Sequence, residues 1–117
     1  MANGKKNQKI YISLPISGYD LDERRQTAEA AKERLVAAGY EPQNIMNPMA
    51  NGLPADAGTA AHMKRDFEML LQCDAILFLD RWNHSAGCLT ELHVATAIGL
   101  EVYFEGCHAV DGCLMLK

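Results

Sequence analysis

Alternation and periodicity divide the chain into short apolar runs and amphipathic stretches. Residues 9 to 14, Lys-Ile-Tyr-Ile-Ser-Leu, form a β-favouring run that stops at Pro15. A turn signal, Ile16-Ser17-Gly18, follows, and Asp20 with Glu23 three residues on has the form of a helix capping box. Leu21, Ala28, Ala31, Leu35 and Ala38 then recur at spacings of seven, three, four and three, which predicts a helix with one apolar face, ended by Gly39. A weak strand is expected within 40–46, held to an edge by Pro42. Residues 47–58, with two prolines, two glycines, Asn47, Asn51 and Asp56, read as a long loop, a length often put to functional use.

A second helix is expected from Thr59, with Ala60, Met63, Phe67, Leu70 and Leu71 turned inward and Asp74 marking its end. The unbroken apolar run 75–79 predicts a strand buried on both faces, as parallel sheets require. A loop over 81–85, a third helix from Ser85 to Ile98 closed by Gly99, and a strand over 101–104 complete the pattern. The resulting order β-α-β-α-β-α-β predicts an α/β fold: a single-domain, flavodoxin-like or Rossmann-like parallel sheet of four to five strands with helices on both faces. Residues 1–117 are expected to form that one domain, with 1–8 as a flexible lead-in. Ligands in such folds bind beyond the carboxyl ends of the strands, which here are 14–18, 46–58 and 80–87.

Composition narrows the chemistry. A chain of 117 residues, 49% apolar and 22% charged, can bury roughly two-thirds of its unfolded surface without a disulfide or metal staple. The net charge of −4 argues against a nucleic-acid partner, and the longest apolar run falls far short of a membrane span. Met1 to Lys9 lacks the apolar segment of a signal peptide, so the expected location is cytoplasmic. Cys73, Cys88, Cys107 and Cys113 contain no C-x-x-C pair; Cys73 and Cys88 read as small buried hydrophobes, and only Cys107 with Cys113 has local bridge spacing, disfavoured in a reducing cytosol. His84, Cys88 and His93 lack the spacing of a known metal site, so no metal or cofactor is expected.

Three segments carry candidate chemistry: Tyr11-Ile-Ser-Leu-Pro-Ile-Ser-Gly18, Arg65-Asp66-Phe67 with Cys73-Asp74, and Trp82-Asn-His-Ser-Ala-Gly-Cys-Leu-Thr-Glu91. In order and spacing, from Lys9 to about Glu105, they resemble the nucleoside 2-deoxyribosyltransferase-like superfamily, most closely its small bacterial and phage branch. The resemblance implies that Glu91 is the nucleophile on the anomeric carbon, Asp66 the acid-base group at the leaving base, and Tyr11 the hydrogen-bond partner of the nucleophile. It implies substrate contacts from Gly18, Ser85 and Gly87, a small-molecule nucleoside or nucleotide partner, and a homodimer or higher homo-oligomer. Ser13, Ser17, Asp80, Trp82 and Asn83 are further candidate substrate contacts by their place at the strand ends. The apolar tail Cys113-Leu-Met-Leu116 is a candidate for that contact, or for packing on its own domain. Leu14 stands where relatives carry Gly, and Ser17 where nucleotide-hydrolysing relatives carry Arg.

Elementary chemistry partly supports the same residues. Cleaving a glycosidic bond calls for one carboxylate at the oxocarbenium-like carbon and a proton donor at the leaving group. Glu91 follows a helix start whose dipole favours its ionised form, and Asp66 flanks apolar surface, which raises a carboxyl pKa. Plainer readings stand beside these. Glu91 reads equally as a solvated helix residue, Asp66 as a surface charge beside Lys64 and Arg65, Asp80 as a turn former and Tyr11 as a packed strand residue. Trp82 reads either as a base-stacking ring or as cover for the core's edge, and His62, His84 and His93 as surface or satisfied residues. The resulting expectation is cleavage or transfer of an N-glycosidic bond through a glutamate ester. The alternatives are a non-catalytic nucleotide-binding module or cleavage of the nicotinamide–ribose bond of NAD.

Overall fold

The computed structural model describes residues 7–105 and 115–116. Strand β1 (Ile10–Ser13) leads to helix α1 (Leu21–Ala37), strand β2 (Ile45–Met46), helix α2 (Thr59–Leu70), strand β3 (Ala75–Phe78), helix α3 (Ala86–Ala97), strand β4 (Glu101–Phe104) and strand β5 (Met115–Leu116). The sheet order is β2-β1-β3-β4-β5; the first four strands are parallel and β5 is antiparallel to β4. Of the tail expected as a contact segment, the backbone of 115–116 thus pairs within its own sheet. Cys107, Cys113 and residues 1–6 of the expected lead-in lie outside the described residues.

The chain leaves β1 toward β2 on one side and then returns to β3 on the other. Right-handed crossovers therefore put α1 on one face and α2 with α3 on the opposite face. The two cores follow the strand pleat. Ile10 and Ile12 of β1 pack with Ala28, Ala31 and Leu35 of α1, while Tyr11 packs with Leu70, Ile76, Phe78, Cys88 and Ala95 beneath α2 and α3. At the opposite end from the cleft described below, Asp74 ties β1 to β3. Its Oδ2 accepts from the Lys9 N–H at 2.9 Å, and its own N–H donates to the Lys9 carbonyl at 2.7 Å.

Several expectations change. Only half of the capping box forms: the Asp20 carboxylate accepts from the Glu23 N–H at 3.0 Å. The Glu23 carboxylate accepts from Arg24 and Thr27 instead, and Leu21 and Ala38 are exposed. The buried stripe of α1 is Arg24-Ala28-Ala31-Leu35. Arg24 takes the place assigned to Leu21 because its stem packs while its guanidinium donates to the Pro15 carbonyl at 3.1 Å, pairs with Glu23 and lies over the Tyr19 ring. The segment 40–46 supplies only a two-residue edge strand, since Pro42 opens a 3-10 turn (Pro42–Asn44). Ala60 and Met63 of α2 and Leu71 just after it are exposed rather than inward, and burial on α2 is confined to Met69 and Leu70 with Phe67 half-buried. Among the described residues no helix is long and apolar enough to cross a membrane.

Trp82, in the 3-10 turn Trp82–His84 after β3, closes an aromatic cluster with Phe78 and Phe104, whose ring centroids lie 5.4 Å apart. Phe104→Ala is expected to lower unfolding free energy by about 3–5 kcal/mol in urea titrations, because a fully packed ring leaves a cavity that its neighbours cannot fill. Loss of the Asp20 cap by Asp20→Ala costs only about 1 kcal/mol. Similar costs for the two variants would contradict this account of the core.

Candidate active site

β1 lies between β2 and β3, so the direction of strand progression reverses at its carboxyl end, where loops diverge and leave a crevice. A cleft of about 390 Å³ opens there, lined by Tyr11, Asp66, Phe67, Ser85, Gly87 and Glu91 among others. Tyr11 and Ser13, two apart on β1, point to the same face of the sheet. Their hydroxyls meet a single carboxylate: Tyr11 Oη donates to Glu91 Oε2 at 2.8 Å and Ser13 Oγ donates to Glu91 Oε1 at 2.7 Å.

Helix α3 brings Glu91 to these hydroxyls. Its N-cap Ser85 accepts from the Cys88 N–H at 3.2 Å, and Cys88, Glu91 and Ala95 follow at helical spacing on the face turned to the sheet. Glu91 thus stands in an apolar stripe, not on the solvent side. Burial pushes its carboxyl up to about 7; the Ser13 and Tyr11 hydroxyls pull it down, and nearby Asp66 raises it. The sequence-based expectation that the helix start keeps Glu91 ionised is therefore corrected. Glu91 lies six residues past the cap, beyond the turn in which the dipole acts strongly, and desolvation dominates. Burial, then the Glu91 and Asp66 charges, hold the Tyr11 hydroxyl well above its ordinary value, so it remains a donor.

Asp66 reaches the same cleft from α2. Burial raises its carboxyl, opposed first by a hydrogen bond from Asn51 and also by the Arg65 charge. Asn51, treated in sequence as one more turn former, is buried and donates from Nδ2 to Asp66 Oδ1 at 3.0 Å. Its signal was a polar residue three before Pro54 in a long loop, which does not name its partner. Met63, Thr59, Pro48 and Cys88 also line the cleft without having been singled out for it. Burial raises the Cys88 thiol, which suits a packing role better than a nucleophilic one.

Of the other expected substrate contacts, Ser17, Ser85 and Gly87 line the cleft, as does Leu14. Ser13 reaches it through Glu91. Gly18, Asp80 and Asn83 are exposed and stand outside the lining, Gly18 because a turn places it at φ 85° beyond Ser17. Trp82 is likewise outside: its ring is spent on Phe78 and Phe104, the core-covering alternative. Among the described residues no three His, Cys, Asp or Glu side chains gather as a metal would need.

A family model described as a domain of unknown function, DUF4406, matches residues 8–104. The solved structure of the 2-deoxyribosyltransferase from the psychrotolerant bacterium Bacillus psychrosaccharolyticus aligns with a TM-score of 0.62 and 22% identity, covering 82% of this chain and 70% of that one. The fold is thus nucleoside 2-deoxyribosyltransferase-like. No curated protein matches the sequence.

The Glu91 shift has a direct consequence for stability. In the unfolded chain its carboxyl ionises near 4.5, and in the folded protein near 7. The raised folded value favours folding fully below pH 4.5, and that contribution is lost as pH rises toward 7. Relative to Glu91→Gln, the wild type is expected to lose on the order of 3 kcal/mol across this window in urea unfolding. Parallel stability curves for the two proteins would refute the buried, desolvated carboxyl.

Proposed function

The chain belongs to the DUF4406 family, and we propose that its cleft breaks the N-glycosidic bond of a nucleoside or nucleotide by a retaining double displacement. The observation that carries this reading is one half-buried carboxylate, Glu91, with each oxygen held by a hydroxyl, in a cleft that also receives Asp66. The volume of about 390 Å³ falls within the usual range for small-molecule sites. The kinship in fold to a 2-deoxyribosyltransferase supports the same chemistry.

In the first step a Glu91 oxygen attacks C1′ as the bond to the base breaks, giving a glycosyl ester. Asp66 delivers its proton to the departing base. Tyr11 and Ser13 fix the carboxylate's rotation and spread its charge, and they stabilise the same carboxylate when it leaves in the second step. Water, or a second base, then attacks C1′ from the opposite side, losing its proton to Asp66. The two carboxyls share partly desolvated surroundings that disfavour a double negative charge. Desolvation favours a shared proton on Glu91, so the reactive form is the one in which that proton has moved to Asp66 and leaves Glu91 free to attack. Apolar Met63 and Phe67 on the Asp66 helix offer the departing base a dry wall. This double displacement requires no cofactor.

Leu14 in the cleft wall favours one second reading, a module that binds a nucleotide without turning it over. Incubation with a panel of deoxynucleosides, deoxynucleotides and NAD, followed by chromatographic detection of free base, separates the two. Base release is expected from the wild type, none above background from Glu91→Ala, and a fall of about 10²–10⁴-fold in kcat for Asp66→Asn. Thermal stabilisation by a nucleotide, equal in wild type and Glu91→Ala and without base release, would establish the binding module instead.

A further inference from the structure

Asp66 is aimed by hydrogen bonds rather than by packing. Asn51, 6% exposed in the loop before α2, meets that helix at three positions, His62, Arg65 and Asp66, which share one face by their spacing. The Leu53 N–H donates to Asn51 Oδ1 at 3.1 Å, which fixes which end of the amide is oxygen. Both hydrogens of Nδ2 are then committed, one to Asp66 Oδ1 at 3.0 Å and one to His62 Nδ1 at 3.1 Å. His62 Nε2 lies 3.0 Å from the Pro54 carbonyl, which can only accept. The imidazole is therefore neutral with its proton on Nε2, and Nδ1 serves as an acceptor. Arg65 Nε, donating to the Asn51 carbonyl at 3.0 Å, secures the backbone of the same residue.

We propose that Asn51 and His62 are a positioning pair for the acid. Asn51 occupies Asp66 Oδ1, so the transferable proton resides on Oδ2, and His62 keeps the Asn51 amide from rotating away. Neither residue lines the cleft, so both act through Asp66. The inference rests on Asp66 being the acid of the proposed reaction, and it extends that reading to two residues outside the cleft.

The test exploits two substitutions of the same histidine. His62→Asn sets an amide oxygen where Nδ1 stands and keeps the acceptor for Asn51, whereas His62→Gln keeps the donor toward Pro54 and loses that acceptor. Both replace the imidazole by a neutral amide, so their difference reports the acceptor alone. In base release, His62→Gln and Asn51→Ala are expected to lose about ten- to a hundredfold in kcat with KM within about twofold, while His62→Asn stays within about threefold of wild type. In carbon NMR titrations Asp66 should ionise at a higher pH in His62→Gln than in His62→Asn, because a loosened Asn51 no longer favours the carboxylate. Nitrogen NMR of the wild type should find the His62 proton on Nε2. Equal kcat and equal Asp66 titration in the two histidine variants, or a proton on Nδ1, would overturn the proposal. Absence of base release from the wild type would refute the reaction alone, because the two NMR readings judge the positioning pair without it. Thermal melting of each variant guards against unfolding, and the histidine pair carries the test where Asn51→Ala does not fold.

Discussion

A carboxylate removed from water and held by two hydroxyls from one strand is the constraint on which the site depends. Stripping water from Glu91 costs several kcal/mol, and the two O–H donors recover only part of it, which is why the group remains half-inclined to hold a proton. To supply both donors, β1 must present Tyr11 and Ser13 to the same face, and that face must be the one covered by α3. To supply the acceptor, α3 must dock with Cys88 and Ala95 inward, since these flank Glu91 at helical spacing. A one-residue slip of β1 would send Tyr11 and Ser13 to the α1 side and put Ile10 and Ile12 against the carboxylate.

That slip is opposed by elements far from the cleft. The Asp74 ties to Lys9 lock the start of β1 against β3, and the ladder continues to the Leu79 N–H on the Ser13 carbonyl at 2.9 Å. The crossover rule then does the remaining work, placing α2 and α3 on one face so that Asp66 and Glu91 approach the same crevice. Helix α1, the one helix on the other face among the described residues, contributes indirectly. Arg24 grips the Pro15 carbonyl and thereby steadies the loop from which Ile16 and Ser17 reach the cleft.

The order of elements and the burial of β1 and β3 were legible in the sequence because unbroken apolar runs and capping signals are local. The outward turn of Leu21, Met63 and Leu71 was not, since periodicity finds an apolar face but cannot tell core from cleft or solvent. Glu91 had a local trace, a carboxylate three residues from Cys88 and four from Ala95 in an apolar helix face, yet pairing it with Tyr11 rested on the resemblance. The contact between residues 80 positions apart leaves no periodic mark. Asn51 and His62 were illegible for the same reason: a side-chain network depends on which loop folds over which helix. Trp82 was ambiguous because an aromatic after a buried strand serves a core edge and a ligand wall equally well until its neighbours are known.

The weak burial of α2 ties these observations together. Only its last turn is anchored in the core, through Met69 and Leu70, whereas Met63 is 41% exposed and faces the cleft. A helix packed along its whole length would fill the crevice with its own side chains and leave no room for a ligand. Standing off the sheet creates the cleft, but it also withdraws the packing that normally fixes a side chain's direction. Hydrogen bonds supply the lost constraint. His62, Arg65 and Asp66 all engage Asn51, so the loop after β2 holds the unpacked part of α2 in place of the sheet. The long, turn-rich segment between β2 and α2 is therefore a structural counterpart of the cleft, since opening one requires the other as a clamp.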